Sequence, residues 1–122
     1  MPIGLRGGNL YIGEDLLVEW GDTDVPGSGL YDNNLGSFVN DATVTFQLYQ
    51  SDGTTAVTNA SGTCSYVTGS QGCYRGTLED GTSPTITLTS GTTYILQVIA
   101  TCSGDRIGRR RISYVARYHG SD

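Results

Sequence analysis

The sequence has no lysine, a single histidine and a single tryptophan among its 122 residues. It has no run of eighteen apolar residues, which excludes a membrane-spanning helix, and its first residues lack the apolar stretch of a secretory signal. Cations are scarce as well, because seven arginines stand against twelve carboxylates and give a formal net charge of −5. Nucleic-acid-binding proteins are usually basic. We therefore expect a soluble chain without an export address, a membrane partner or a nucleic-acid partner.

The scarcity of histidine and cysteine limits the chemistry further. Catalysis by a nucleophile and a base needs a base that the fold holds in place, and His119 lies near the C-terminus, where chains are normally mobile. No CxxC pair occurs, and three scattered cysteines with His119 do not have the spacing of a zinc site. The sequence predicts no enzyme, no catalytic residue, no metal ligand and no cofactor. The aspartates at 22, 24 and 32 do not match a twelve-residue calcium loop, so solvated turn residues are the expectation and a calcium site the alternative.

The three cysteines are an odd number, so at least one thiol is unpaired within the chain. Cys64 and Cys73 flank a predicted hairpin at residues 65–72. A turn centred on residues 68 and 69 would bring the two cysteines face to face and allow a disulfide, whereas a turn centred one residue later would separate them. A chain without a secretory signal is made in a reducing cytoplasm, so two free thiols are the alternative to the disulfide.

Glycine is abundant, with 18 residues, and apolar residues make up a modest 37% of the chain. This composition is typical of short strands joined by many turns, and the length suits one hydrophobic core but not two. Alternation of apolar and polar residues marks the strands. The predicted strands are Leu16–Trp20, Ala42–Tyr49, Thr55–Thr58, Thr63–Val67, Cys73–Leu78, Thr85–Leu88, Thr92–Cys102 and Arg109–Tyr118.

The longest of these strands follows a glycine turn and carries Tyr94 near its start. In immunoglobulin-like sandwiches a tyrosine at this position bonds back to the preceding corner of the chain. Trp20 and Phe46 fall on the inward side of their strands, because side chains alternate between the two faces of a sheet. The pattern predicts an all-β fold, an immunoglobulin-like antiparallel β-sandwich of about seven strands, in which Trp20, Phe46 and Tyr94 have structural roles.

Two segments lack strand periodicity. Residues 1–13 are predicted to form an N-terminal arm that either pairs as an edge strand or reaches a neighbour, and residues 14–122 form the single sandwich domain. The connection 21–40 is long for a compact domain, which favours a contact function, with packing against the sandwich as the alternative. The candidate contact residues of the arm, the loop and the last strand are Leu10, Tyr11, Ile12, Leu30, Tyr31, Leu35, Phe38, Arg109, Arg110, Arg111 and Arg117.

Charge is distributed unevenly along the chain. Eight carboxylates precede residue 60, where Arg6 is the only opposing cation, and five arginines lie in the last seventeen residues. Such a module suits docking beside copies of itself or onto an oppositely charged partner; a solvated surface with uneven charge is the alternative. Arginine also tolerates burial in an interface better than lysine does.

Several segments together resemble small immunoglobulin-like virion proteins of tailed bacteriophages. The resemblance covers residues 13–118 and implies a structural role, either as a capsid decoration (cement) protein that braces adjacent capsid subunits or as a head-to-tail neck or tail component. The implied partners are the major capsid protein, other virion proteins and further copies of the chain, in a virion assembled in the host cytoplasm. The segments that carry the resemblance are Gly13–Trp20, Val39–Phe46, Ser65–Val67, Gly72–Gly76 and Gly91–Tyr94.

A carbohydrate- or host-surface-binding module is the alternative from a different functional class. Its platform would consist of the three tyrosines that the strand pattern leaves outside the core, because aromatic side chains combine a large apolar face with a polar end. These residues are Tyr11, Tyr31 and Tyr49.

Overall fold

The computed structural model describes residues 6–79, 86–102 and 105–117, and these residues contain β-strands and turns but no helix. They form nine strands. The strands are β1 (Arg6–Tyr11), β2 (Leu16–Trp20), β3 (Tyr31–Asp32), β4 (Ser37–Phe38), β5 (Thr43–Gln50), β6 (Ala56–Tyr66), β7 (Tyr74–Leu78), β8 (Thr93–Cys102) and β9 (Asp105–Arg117).

Seven of the strands follow one another in the order β1-β9-β8-β5-β6-β7-β2, and β3 pairs with β4 in a separate ribbon. The long strand β6 belongs to two sheets, because its first part pairs with β5 and its last residues, Ser65 and Tyr66, pair with β7. A larger sheet (β1-β9-β8-β5-β6) therefore continues into a smaller one (β6-β7-β2). This division of strands is that of an immunoglobulin-like sandwich, which confirms the predicted fold class.

The first strand departs from the expected antiparallel pattern. β1 pairs with β9 in parallel, with Asn9 opposite Val115 and Tyr11 opposite Arg117. Leu10 on this strand is 1% exposed and belongs to the core. Of the two alternatives for the arm, residues 6–11 therefore form the edge strand. Residues 1–5 lie outside the described part of the chain.

The core lies between the two sheets and is formed largely by alternate residues of the strands. Trp20 and Phe46 are both buried, as predicted. The predicted inward row of β8 is confirmed, since Leu96, Val98 and Ala100 are inaccessible to solvent. Tyr94 is confirmed as the corner residue, because the Thr89 amide donates a hydrogen bond of 2.8 Å to its hydroxyl.

Three strand predictions need correction or fall outside the described residues. The strands predicted at residues 55–58 and 63–67 are one continuous strand, β6. Ile86 and Leu88 are buried as expected, but residues 86–89 form no strand. Thr85 and Tyr118 lie outside the described residues. Burial of the apolar side chains at 86 and 88 thus needs no ladder of hydrogen bonds with a neighbouring strand.

A bulge explains why β6 was predicted as two pieces. Asn59 has a φ of 65° in the middle of this strand, and the pairing with β5 shifts register nearby. A bulge leaves backbone groups without their ladder partners. The side-chain amide of Gln47 donates to the carbonyls of Val57 and Ala60 at 3.0 and 3.2 Å, so the side chain replaces the missing backbone bonds. The strand therefore continues through the irregular residues.

Candidate functional site

Several connections meet at one end of the sandwich, which we call the loop end. The connection from β2 to β5 contacts the β6–β7 turn, where the Leu30 amide donates 2.7 Å to the Gly72 carbonyl. The same connection carries Tyr31 to the ends of β8 and β9, where Cys102 and Asp105 line a shared groove of about 750 Å³. These connections, and not paired strands, form the surface of the loop end.

The middle of the β2–β5 connection is anchored in the core. Leu30 is 2% exposed, and its carbonyl accepts a 2.9 Å hydrogen bond from the Val39 amide. The expectation that Leu30 contacts a partner is therefore corrected, and so is the same expectation for Leu10, because both side chains are buried within their own chain. The alternative of packing against the sandwich holds for this part of the loop.

The β3–β4 ribbon, residues 31–38, projects from the loop end, and we call it the hairpin tip. Asp32 fixes its turn, because its carboxylate accepts hydrogen bonds from the amides of Asn34 at 2.8 Å and Leu35 at 3.3 Å. Tyr31 packs edge-on against Phe38 with ring centroids 5.1 Å apart. Leu35 is nonetheless 71% exposed and Tyr31 44% exposed. The tip therefore presents apolar side chains on an ordered turn.

Several carboxylates lie at the loop end. Asp22, Asp24, Asp41 and Asp105 are exposed at the loop end and Asp32 is partly exposed. The Asp22 carboxylate accepts a 2.9 Å bond from the Asp24 amide, so it acts as a turn cap as the Asp32 carboxylate does. The loop end is thus apolar at its most exposed point and acidic around it.

The outer surface of β8 and β9 has the opposite charge, and we call residues 95, 97, 99, 109 and 111 the arginine face. Arg109 lies opposite Ile99, and the Arg111 Nε donates 2.9 Å to the Oε1 atom of Gln97. Both arginine side chains are exposed. In the described part of the chain the ion pair that forms is Arg75 with Glu19, at 3.1 Å, so no described carboxylate pairs with Arg109 or Arg111.

Arg110 lies on the other side of the same strand. Its guanidinium stacks on the Trp20 ring at 4.4 Å from the centroid and donates 3.4 Å to the Ser28 carbonyl. Burial lowers the pKa of Arg110 from its ordinary value. The contact joins the two sheets at the loop end. Arg110 is therefore removed from the surface candidates, because strand alternation turns it inward while its neighbours point outward.

The remaining candidates are dispersed. Tyr11 and Ile12 are half-buried beside β9, and the Arg117 Nε donates 3.0 Å to the Asn9 side chain. These residues lie at the end of β9 far from Asp105, because β9 runs from the loop end to Arg117. They do not join the hairpin tip or the arginine face.

The three tyrosines considered for a sugar platform do not share one surface. Tyr31 lines the groove with Cys102 at the end of β8, whereas Tyr49 lies opposite Ile95 near its start. Seven residues of strand separate Ile95 from Cys102, which corresponds to roughly 23 Å. A sugar platform made of all three rings is therefore not present.

The register of the β6–β7 hairpin separates the two cysteines considered for a disulfide. Tyr66 pairs with Tyr74, so Cys64 lies across from Gly76 and not from Cys73. Both thiols are buried and free. Burial raises the pKa of Cys64 to about 11. Of the two turn positions considered, the structure is closer to the later one, which separates the cysteines. The disulfide expectation is therefore corrected to two free thiols.

Sequence reasoning did not single out two features of the structure. The Tyr74 hydroxyl donates 2.6 Å to the Val39 carbonyl and accepts 3.1 Å from the Ala42 amide, so this β7 residue holds the chain that enters β5 in the opposite sheet. Leu17 is 54% exposed on β2, the last strand of the smaller sheet. Trp20 was predicted inward, so the alternation along this strand already placed Leu17 outside.

Comparisons with known proteins add no relative. The chain matches no protein-family model, no curated protein and no solved structure. Within residues 6–79, 86–102 and 105–117 no three His, Cys, Asp or Glu side chains are placed to share a metal ion. None of these residues forms a helix long and apolar enough to cross a membrane. His119 lies outside the described residues.

Proposed function

We propose that this chain is a structural protein of a tailed-bacteriophage virion, and that it decorates the capsid and braces adjacent capsid subunits. The observation that carries the proposal is the presence of exposed apolar side chains at two different places on one stiff domain. Leu35 marks the first, at the hairpin tip, and Leu17 marks the second, on β2, the last strand of the smaller sheet in the described part of the chain. A brace must hold two neighbours at once, which requires two surfaces.

Each surface has a property that favours a protein partner. An exposed apolar side chain on an ordered turn can enter a pocket without first losing conformational freedom. Among the described strands β2 has a neighbour on one side only, and a partner strand can bond to the backbone of such an edge strand beside Leu17. Clusters of exposed apolar side chains mark protein interfaces more often than isolated ones do. Leu35 and Tyr31 form such a cluster at the hairpin tip.

The stiffness of the domain supports bracing as well. Tyr74 ties the smaller sheet to the start of β5, and the Tyr94 hydroxyl fixes the corner before β8. The strand β6 belongs to both sheets, so the sheets cannot separate without breaking it. A decoration protein acts in many copies, and many modest contacts on one particle raise its total binding strength.

The resemblance in the sequence is what points to a virion. Its segments lie in β2, in the start of β5, around the β6–β7 turn and at the corner before β8. These are scaffold positions, so the resemblance supports the kind of domain and its class of role. The hairpin tip lies outside those segments, whereas Leu17 lies within the first of them, and the two exposed positions support the choice of a brace among the structural roles.

The test uses expanded capsids from the phage that encodes the chain, purified from a strain in which its gene is deleted. Purified chain is added and the capsids are sedimented. We expect saturable binding with a fixed number of copies per capsomer, and a marked loss of binding for Leu17→Lys. Ser90→Lys places the same charge on an exposed corner residue and should bind as the wild type does.

Particle images decide between the structural roles. Density for the chain on the shell supports decoration, whereas density found only at the neck or tail would replace decoration with a neck or tail role. Binding to isolated host glycans without any binding to capsids would overturn the proposal in favour of host-surface recognition.

A further inference from the structure

The described residues of the hairpin tip and of the arginine face carry opposite charges, and no other described residue compensates them with an ion pair. Asp32 and Asp105 line the same groove as Leu35, and the described residues provide no cation within ion-pair distance of them. Arg109 and Arg111 lack carboxylate partners in the same part of the chain. Each surface therefore lacks the charge that the other carries. Charge complementarity of this kind orients two proteins and excludes wrong arrangements.

The arginine face also has a place for an apolar side chain. A groove of about 440 Å³ lies next to Ile99, the residue opposite Arg109, with Thr45 and Phe46 among its lining residues. The β5–β6 turn covers the other half of the face, because Gly53 is buried against it and a Cβ at this glycine would lie 3.0 Å from the Arg111 side chain. The open half is next to Arg109.

We infer that the partner of the hairpin tip is a second copy of this chain. Leu35 of one copy enters the groove beside Ile99 of the other, and the aspartates beside the tip, Asp32 and Asp105, meet Arg109. Contacts between like surfaces are unfavourable, because they would place arginines against arginines or aspartates against aspartates. The contact from tip to face brings opposite charges together.

The two surfaces lie close enough for the contact to be reciprocal. Ile107 lines the groove beside the tip, and Arg109 follows two residues later on the same strand. A two-fold axis can therefore place each tip on the arginine face of the other copy at the same time. Such an interface closes at two copies, as isologous interfaces do.

The dimer deepens the proposed function. Its role on the capsid rests on that proposal, whereas its formation does not. A copy seated on the capsid through the Leu17 surface would keep its tip and its arginine face for a copy on the neighbouring subunit. The dimer is a property of the chain alone, so it can be tested without capsids.

The first experiment measures the mass of the purified chain by sedimentation velocity over a range of concentrations and salt. We expect a dimer that dissociates as ionic strength rises, because salt screens exposed charges. Leu35→Lys and Arg109→Glu should each weaken dimerisation by about tenfold or more. Leu17→Lys and Arg75→Glu make the same chemical changes on the smaller sheet and should dimerise as the wild type does.

The second experiment mixes the two weakened variants. The intact tip of the Arg109→Glu copy can meet the intact face of the Leu35→Lys copy, and the introduced lysine can meet the introduced glutamate. The mixture should therefore associate more tightly than either variant does alone. A variant that had failed to fold could not be rescued in this way, and far-UV circular dichroism checks the fold of each one.

A chain that stays monomeric up to about 1 mM would overturn the inference, as would a mixture that associates no better than its components. The capsid assay separates this failure from that of the proposed function. Monomers that still bind capsids through the Leu17 surface would refute the dimer and support decoration. A chain that dimerises but does not bind capsids would support the dimer and refute decoration.

Discussion

Gly62 lies directly opposite Phe46 on the neighbouring strand, and the aromatic ring covers the place where a side chain would be. A Cβ at Gly62 would lie 2.7 Å from the Phe46 Cζ atom. We expect Gly62→Ala to lower the free energy of unfolding by about 1–3 kcal/mol, because the buried ring would have to move. Urea denaturation measures the change.

Gly8→Ala is the matched control, since a Cβ at this strand residue meets no atom within 4 Å. It should be neutral or should stabilise the domain by up to about 1 kcal/mol. Equal destabilisation by both substitutions would show that the Phe46 ring does not restrict residue 62.

We expect the buried thiol of Cys64 to lower the stability of the folded domain at alkaline pH. Burial raises the pKa of its thiol from 9.0 to about 11, so in this pH window the unfolded chain loses a proton that the folded chain keeps. The free energy of unfolding must then decrease as pH rises from about 9 to about 11. Cys64→Ala should make the decrease smaller, as measured by urea denaturation at several pH values. Cys102→Ala serves as the control, and an identical slope in wild type and Cys64→Ala would contradict the prediction.

Single residues show where sequence reasoning succeeds and where it stops. Strand alternation placed Trp20 and Phe46 inside correctly, and it also contained the information that Arg110 faces inward. The three consecutive arginines were nevertheless treated as one group, although neighbours on a strand face opposite ways. Leu10 begins the short apolar stretch of residues 10–12 and Leu30 precedes Tyr31, so no alternating period indicated that both are buried.

Tyr74 shows how one side chain can join two elements. Its hydroxyl bonds the Val39 carbonyl and the Ala42 amide, both of which precede β5. We expect Tyr74→Phe to lower the free energy of unfolding by about 1–3 kcal/mol, because it leaves these backbone groups without their partner. Thermal or urea unfolding measures the loss. Tyr49→Phe removes a hydroxyl from a half-buried tyrosine on β5 and should have little effect; a loss as large as that of Tyr74→Phe would contradict the role of the bridge.

Strands were predicted well where the alternation is clean and poorly where the backbone is irregular. β2 has the predicted bounds, Leu16–Trp20. β6 was divided in two, because the sequence does not reveal that Gln47 supplies bonds to the carbonyls at the bulge. The hairpin register could not be fixed either, since Gly69 and Gly72 both adopt positive φ and the turn residues alone allow more than one centre.

The whole domain should unfold as one unit, because β6 belongs to both sheets and Arg110 joins β9 to Trp20. Trp20 is the only tryptophan, so its fluorescence reports on the smaller sheet while circular dichroism reports on all strands. We expect the two signals to give the same urea midpoint, as in two-state unfolding. Leu48→Ala, at a fully buried position of the larger sheet, should shift both midpoints together. Two separate midpoints would show that the sheets unfold independently.

At the scale of the molecule, the sequence predicted the fold better than the surfaces. Core positions and the Tyr94 corner follow from local patterns that every sandwich of this kind needs. Exposure of Leu35 and burial of Leu30 depend on where the β2–β5 connection is anchored, and that anchor is a backbone contact with Gly72. No residue pattern encodes such a contact, so the loop could be recognised as important while its contact residues could not be separated from its core residues.

The parallel pairing of β1 with β9 also determines how the domain carries load. β1 and β9, the first and last strands of the described residues, run side by side in the same direction. A force that pulls these two strands by their outer ends slides them past each other along their length. The hydrogen bonds between the two strands are then loaded at the same time. A force at right angles to the strands would instead break the bonds one after another. The edge strand that brings Leu10 into the core is therefore also a mechanical clamp.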